Sequence, residues 1–145
     1  MLPLFVYYEW TSDRLSSRLH RRVRPLGAAY LSHHRLRYTA QGGATVIAGS
    51  LQDRVLGLVY RVTRHDLQIL DNDPDVTRVR VLVDLPTGEQ TGVYTYLVRG
   101  PIQTPTEDTL RLRRRVEREA KQWLRRMSSL GVSLACPRCP MVRVP

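Results

Sequence analysis

The side chains best suited to moving a proton are three carboxylates near aromatic groups. Glu9 is a lone charge between Tyr8 and Trp10, directly after the apolar run Leu2 to Tyr8. A carboxylate so placed is either a pocket group or a rim residue. Asp73 and Asp75 flank Pro74 in the acidic turn Asp71-Asn72-Asp73-Pro74-Asp75, a composition that also suits a solvent-facing turn with no chemistry attached. Tyr7, Tyr8, Trp10 and Tyr96 can line a pocket, although aromatics at strand ends are more often core.

Other reactive types are less directed. His33 and His34 fall within an expected strand, where alternation sends one inward and one outward, and no nucleophile motif accompanies them. Cys136 and Cys139 form a Cys-x-x-Cys, half of a zinc site in spacing, with no second pair of ligands directed to it. A redox role is disfavoured because the pair does not precede a helix that would lower a thiol pKa. The carboxylates are the stronger candidates.

The elements that must position them come from a chain of 145 residues, 42% hydrophobic, enough for one domain with one core. No apolar run reaches the roughly 20 residues of a membrane span, and the start lacks the features of a signal peptide, so the expectation is a soluble, cytoplasmic protein. The net charge of +10 raises the prior for a nucleic-acid partner. However, Lys121 is the single lysine, so the excess is arginine throughout, a bias that coding composition explains equally well. Arginines cluster at Arg14, Arg18, Arg21, Arg22 and Arg24 and again at Arg111, Arg113, Arg114, Arg115, Arg118, Arg125 and Arg126. Glu107, Asp108, Glu117 and Glu119 interleave with the second cluster, the pattern of a solvated helix face.

Leu2 to Tyr8 reads as a buried strand. Ser12 or Asp13 caps a helix with Leu15, Leu19 and Val23 on one stripe, ended by Pro25-Leu26-Gly27. Ala28 to Tyr38 suggests a second strand, Ala44 to Ala48 a third, and the nearly unbroken apolar run Val55 to Val62 a strand buried on both faces. Thr63 caps a short helix over His65 to Leu70 that runs into the acidic turn. Val76 to Leu85 and Gln90 to Val98 alternate about a Pro-Thr-Gly turn and read as a hairpin. Thr104-Pro105-Thr106-Glu107 opens a last helix with Leu112, Val116, Ala120, Trp123, Leu124, Met127 and Leu130 as its apolar stripe and Gly131 as its stop. Residues 1–131 then form one domain and 132–145 a proline-rich tail.

In order and spacing these segments resemble the γ-glutamylcyclotransferase family. The resemblance rests on Leu4-Phe5-Val6-Tyr7, Ala29-Tyr30-Leu31-Ser32-His33-His34-Arg35-Leu36-Arg37-Tyr38, Gly42-Gly43-Ala44-Thr45-Val46-Ile47, Val55-Leu56-Gly57-Leu58-Val59-Tyr60 with Asp66-Leu67 and Leu70-Asp71, and Tyr94-Thr95-Tyr96-Leu97-Val98. It spans Leu4 to Val98, about two thirds of the chain. It implies an α+β fold, a mixed β-sheet or small β-barrel with flanking helices and a C-terminal helix.

The resemblance also implies intramolecular aminolysis: a free α-amine attacks its own γ-carbonyl, giving 5-oxoproline and a released amine, with a glutamate as the base and loop N–H groups as the cradle. No cofactor or metal is implied. Both parts depart from the family pattern here. Tyr8-Glu9-Trp10-Thr11 stands where that family has a glycine and small polar residues, and Pro74 stands where its glutamate would be. Glu9, Asp73 and Asp75 are therefore the catalytic candidates, and Tyr7, Tyr8, Trp10, Thr11 and Tyr96 the substrate-binding ones. The first expectation is a diverged enzyme acting on a small metabolite, through cyclisation or amide and lactam chemistry, with a homodimer as the assembly open to it. Pro74 motivates a second, a non-catalytic ligand- or partner-binding protein. The arginines motivate a third, an accessory nucleic-acid binder.

Overall fold

The strand Arg54–Val62 (β5) organises the rest. Seven of its nine residues are buried, as its continuous apolar run requires, because it carries a neighbour on each side. The computed structural model describes residues 1–130, the side chains of Gln41 and 127–130 excepted. Leu2–Val6 (β1) runs antiparallel to β5 with Leu4 opposite Tyr60 and Val6 opposite Leu58. Pro25–Ser32 (β2) lies antiparallel on the other side, with Ala29 opposite Gly57. A Cβ on Gly57 would lie 2.4 Å from the Val6 carbonyl oxygen and 2.6 Å from Phe5 Cζ, so only glycine lets β1 pack this closely on β5.

After His34–Tyr38 (β3) and Ala44–Ala48 (β4), which pair only with each other, the chain makes β5 and the helix Arg64–Asp71 (α2). Val76–Asp84 (β6) and Gln90–Val98 (β7) then form the expected hairpin, with Val81 opposite Val93. β6 meets β2 at Tyr30 and Asp84, and β7 meets β1 in parallel at Tyr94 and Leu4. The sheet closes as a barrel in the order β1-β5-β2-β6-β7. Period-2 alternation along β1 divides the core: Leu4 and Val6 face a cluster shared with the helices, while Phe5 and Tyr7 join Leu31, Val83 and Val93.

The helices account for the remaining burial. Ser12–Leu19 (α1) buries Leu15 and Leu19. It ends sooner than the stripe through Val23 implies, because His20 turns left-handed (φ 56°) as the C-cap. Val23 is buried outside the helix, its N–H held by Ser16 Oγ at 2.9 Å. Pro25-Leu26-Gly27 opens β2 and does not serve as a helix stop. The expected strand over Ala28 to Tyr38 is likewise two strands, broken where His33 takes φ 64° and leaves its side chain exposed.

The helix α2 is capped by Thr63, whose hydroxyl accepts from the Asp66 N–H while the Asp66 carboxylate accepts from the Thr63 N–H. The long helix Glu107–Leu130 (α3) lies across β2 and β5 and buries Val116 and Ala120. Among the described residues no helix is long and apolar enough to cross a membrane. Cys136 and Cys139, Gly131 and the proposed tail, as well as the side chains of Met127 and Leu130, lie outside the described residues.

Candidate active site

The last residues of β1 emerge beside the end of β7 and the turn after α2, and between them is a cavity of about 240 Å³. Its walls are the segment Phe5 to Trp10, the Ala40–Ala44 region, the acidic turn, and the stretch from Thr95 to Arg99. Glu9, Asp73 and Asp75 all line it, and so do Tyr7, Tyr8, Trp10 and Tyr96. Residues 64 positions apart in the chain thus meet at one opening. Thr11 does not line it; it is the N-cap of α1, and its side chain makes no capping hydrogen bond.

The aromatic wall is fixed by hydrogen bonds to backbone. The Tyr7 hydroxyl donates to the Tyr96 carbonyl and the Tyr8 hydroxyl to the Gly42 carbonyl at 2.9 Å. The Tyr96 hydroxyl lies 2.7 Å from Asp71 Oδ1, and the Trp10 ring meets the Tyr96 ring edge-on at 6.1 Å. Burial raises the phenols of Tyr7 and Tyr96, and pushes that of Tyr8 up to about 12, with the Glu9 charge adding to the effect. These groups stay protonated at neutral pH and act as donors and packing surface, not as bases.

The carboxylates differ among themselves. The Glu9 side chain is 37% exposed, and the residue sits at φ 49°, a left-handed conformation uncommon for a glutamate. Loss of water raises its pKa, the nearby Asp73 charge raises it further, and Arg14 and Arg18 oppose both. The Arg14 guanidinium approaches Glu9 Oε2 only to 3.7 Å. Asp73 is half-buried, and its Oδ1 accepts the Asp75 N–H at 2.9 Å; Asp75 is exposed, and its carbonyl accepts the Arg99 N–H at 2.7 Å. Pro74 is exposed and lies outside the cavity lining. The neighbouring aspartates, not Pro74, therefore stand at the opening. Burial, with the Asp73 charge beside it, thus holds the Glu9 carboxyl above the ordinary glutamate value.

Arg113 was placed by sequence on a solvated face, together with its cluster. It is in fact only 8% exposed, and Nη1 donates to the carbonyls of Tyr7 (2.7 Å) and Leu56 (2.8 Å), while Glu117 lies 3.4 Å from Nε. Arg21 is likewise bonded, through Nε to Asp66 Oδ1 at 3.1 Å. A signal for Arg113 was present: Thr109, Arg113, Val116 and Ala120 follow helical spacing, and all four are buried. Among the described residues no three His, Cys, Asp or Glu side chains converge in a way that could hold a metal ion.

Comparison with protein families matches residues 4–125 to "Gamma-glutamyl cyclotransferase, AIG2-like". No curated protein matches the chain. Among solved structures, one named gamma-glutamyl cyclotransferase aligns at TM-score 0.73 and 18% identity, covering 99% of this chain and 93% of its own. The uncharacterized protein loc79017 from Homo sapiens aligns with the same values. At3g28950.1 from Arabidopsis thaliana aligns at TM-score 0.59 and 19% identity, over 95% of this chain and 92% of its own. At such identities the likeness is one of fold.

Proposed function

Because the chain belongs to the gamma-glutamyl cyclotransferase, AIG2-like family, we propose that it is a diverged member catalysing acid–base cyclisation or amide chemistry on a small metabolite. Glu9 takes the proton-transfer role that Pro74 cannot fill, and Asp73 tunes it. The supporting observation is the convergence of Glu9, Asp73 and Asp75 on one aromatic cavity, with the Glu9 pKa raised by burial. A volume of about 240 Å³ suits a ligand of amino-acid scale.

In the cyclisation, the substrate ammonium gives a proton to the Glu9 carboxylate, and the freed amine attacks the carbonyl carbon. The new C–N bond closes a lactam. As the tetrahedral centre collapses, the old C–N bond breaks and Glu9 returns its proton to the leaving nitrogen. The second proton shed by the new ring nitrogen also passes to that nitrogen, so a lactam N–H and an ammonium are the products and the enzyme ends as it began. A raised pKa places the carboxylate closer to the amine and so eases both transfers.

The test is to incubate the purified chain with γ-glutamyl dipeptides and a metabolite extract and to follow lactam product by mass spectrometry. Glu9→Gln and Asp73→Asn are each expected to lower turnover at least about tenfold. Wild-type rates in both variants would remove both carboxylates from the chemistry. Saturable ligand binding with no product from any compound would favour the binding-protein reading that Pro74 motivates.

A further inference from the structure

Arg113 is buried, charged and bonded to main chain rather than to a surface acid alone, and the chemistry above does not use it. Of its two carbonyl partners, Tyr7 is the residue directly after β1 and lines the cavity, and Leu56 lies in the neighbouring strand β5. Burying a guanidinium against the sheet is costly unless its donors are satisfied. Desolvation indeed works against its charge.

The Tyr7 carbonyl belongs to the same peptide unit as the Tyr8 N–H. That unit is trans, so the two point in opposite directions. Arg113 comes from α3 and does not line the cavity, whereas Tyr7 and Tyr8 both do. Fixing the carbonyl toward α3 therefore turns the Tyr8 N–H away from α3. Among the described residues this N–H has no acceptor, although the amides just after it do: Trp10 N–H donates to the Tyr8 carbonyl (2.6 Å) and Thr11 N–H to the Glu9 carbonyl (3.0 Å). A cation hydrogen-bonded to a peptide oxygen also polarises that peptide and makes its N–H a stronger donor.

We propose that Arg113 is a positioning residue that locks and polarises the Tyr7–Tyr8 peptide so that the Tyr8 N–H is presented to the substrate carbonyl oxygen. This rests on the proposed cyclisation for its catalytic consequence, but the placement of the donor can be tested without turnover. Where a glycine would allow the loop to rotate, this chain has tyrosine and a left-handed Glu9, and the clamp from α3 supplies the rigidity that a preorganised donor needs.

The experiment uses the full chain, ¹⁵N-labelled, as wild type, Arg113→Lys and Arg113→Met, titrated with 5-oxoproline, whose lactam carbonyl stands in for the reacting one. In wild type the Tyr8 amide resonance is expected to move with cavity occupancy, and in Arg113→Lys to move much less at equal occupancy. On a turned-over γ-glutamyl compound, kcat per folded Arg113→Lys molecule should fall about tenfold with KM within about twofold, the folded fraction being read from the same ¹⁵N spectrum so that lost stability is not counted as lost rate. A Tyr8 amide that stays still while the Gly43 and Val98 amides respond overturns the proposal, as does a wild-type kcat in folded Arg113→Lys. If the wild type turns nothing over but its Tyr8 amide responds and that response shrinks in Arg113→Lys, the cyclisation reading falls and the role of Arg113 stands. If no cavity amide responds at saturating probe, both fall. Arg113→Met reports the stability cost, and should neither variant fold, a Tyr8 amide that stays still in the wild type still overturns the proposal.

Discussion

Glu9 and Asp66 are both carboxylates near an arginine, and their surroundings push them in opposite directions. Asp66 is 2% exposed, yet the Arg21 guanidinium, the Thr63 N–H and the Thr63 hydroxyl hold its pKa down to about 2. Glu9 is more accessible, but burial outweighs its longer contact with Arg14, and the Asp73 charge adds to the rise. Desolvation acts on both, and what Asp66 has in addition is a set of donors aimed at its charge. A carboxylate with its donors supplied closes a helix cap; one left short of them at a cavity is available for chemistry.

The widest way to break this comparison is through activity. Glu9→Gln and Asp73→Asn should each cut turnover at least about tenfold, whereas Asp66→Asn should leave kcat nearly intact in the folded enzyme. Equal losses in all three, measured on protein shown to be folded, would dissolve the distinction. Stability should respond in the reverse order. Asp66→Asn removes a charge-assisted bond and half of a capping box and is expected to cost about 2 kcal/mol by urea unfolding.

The pH dependence carries the same contrast. The folded-state pKa of Asp66 is depressed, so its contribution is complete above the unfolded value near 3.8 and is lost as pH falls from there toward about 2. Acid unfolding of wild type should therefore be steep in that window and shallower in Asp66→Asn. Glu9 has the opposite sign: its raised pKa makes ionisation unfavourable to the fold, so it weakens stability as pH rises through the carboxylate range. Glu9→Gln should be slightly more stable than wild type at pH 7 while losing activity. The smallest effect belongs to Arg14→Gln. Removing that cation should move the acid limb of the pH–rate profile upward and alter stability by no more than about 0.5 kcal/mol.

Much of the barrel was legible because its signals are local. The unbroken run through β5, the alternation of β6 and β7, and the Thr63 cap each specify an element from neighbouring residues. The breaks were harder. His20 and His33 take left-handed conformations that glycine or asparagine would have advertised, so α1 appeared longer than it is and β2 and β3 appeared as one strand. The same holds for Glu9: its place at the cavity mouth followed from the family resemblance, but nothing in Tyr8-Glu9-Trp10 announces φ 49°. Arg113 was least legible of all. Its partners are backbone carbonyls 106 and 57 residues away, and backbone atoms leave no trace in the residue pattern.

The most direct test of the contrast is a carboxyl ¹³C NMR titration of Glu9 and Asp66 in the folded wild type, repeated in Asp73→Asn. The expected result is a Glu9 midpoint above the ordinary glutamate value that drops when Asp73 is neutralised, beside an Asp66 midpoint near 2. A Glu9 midpoint at or below the ordinary value, unmoved by Asp73→Asn, would contradict its assignment as the proton-transfer group.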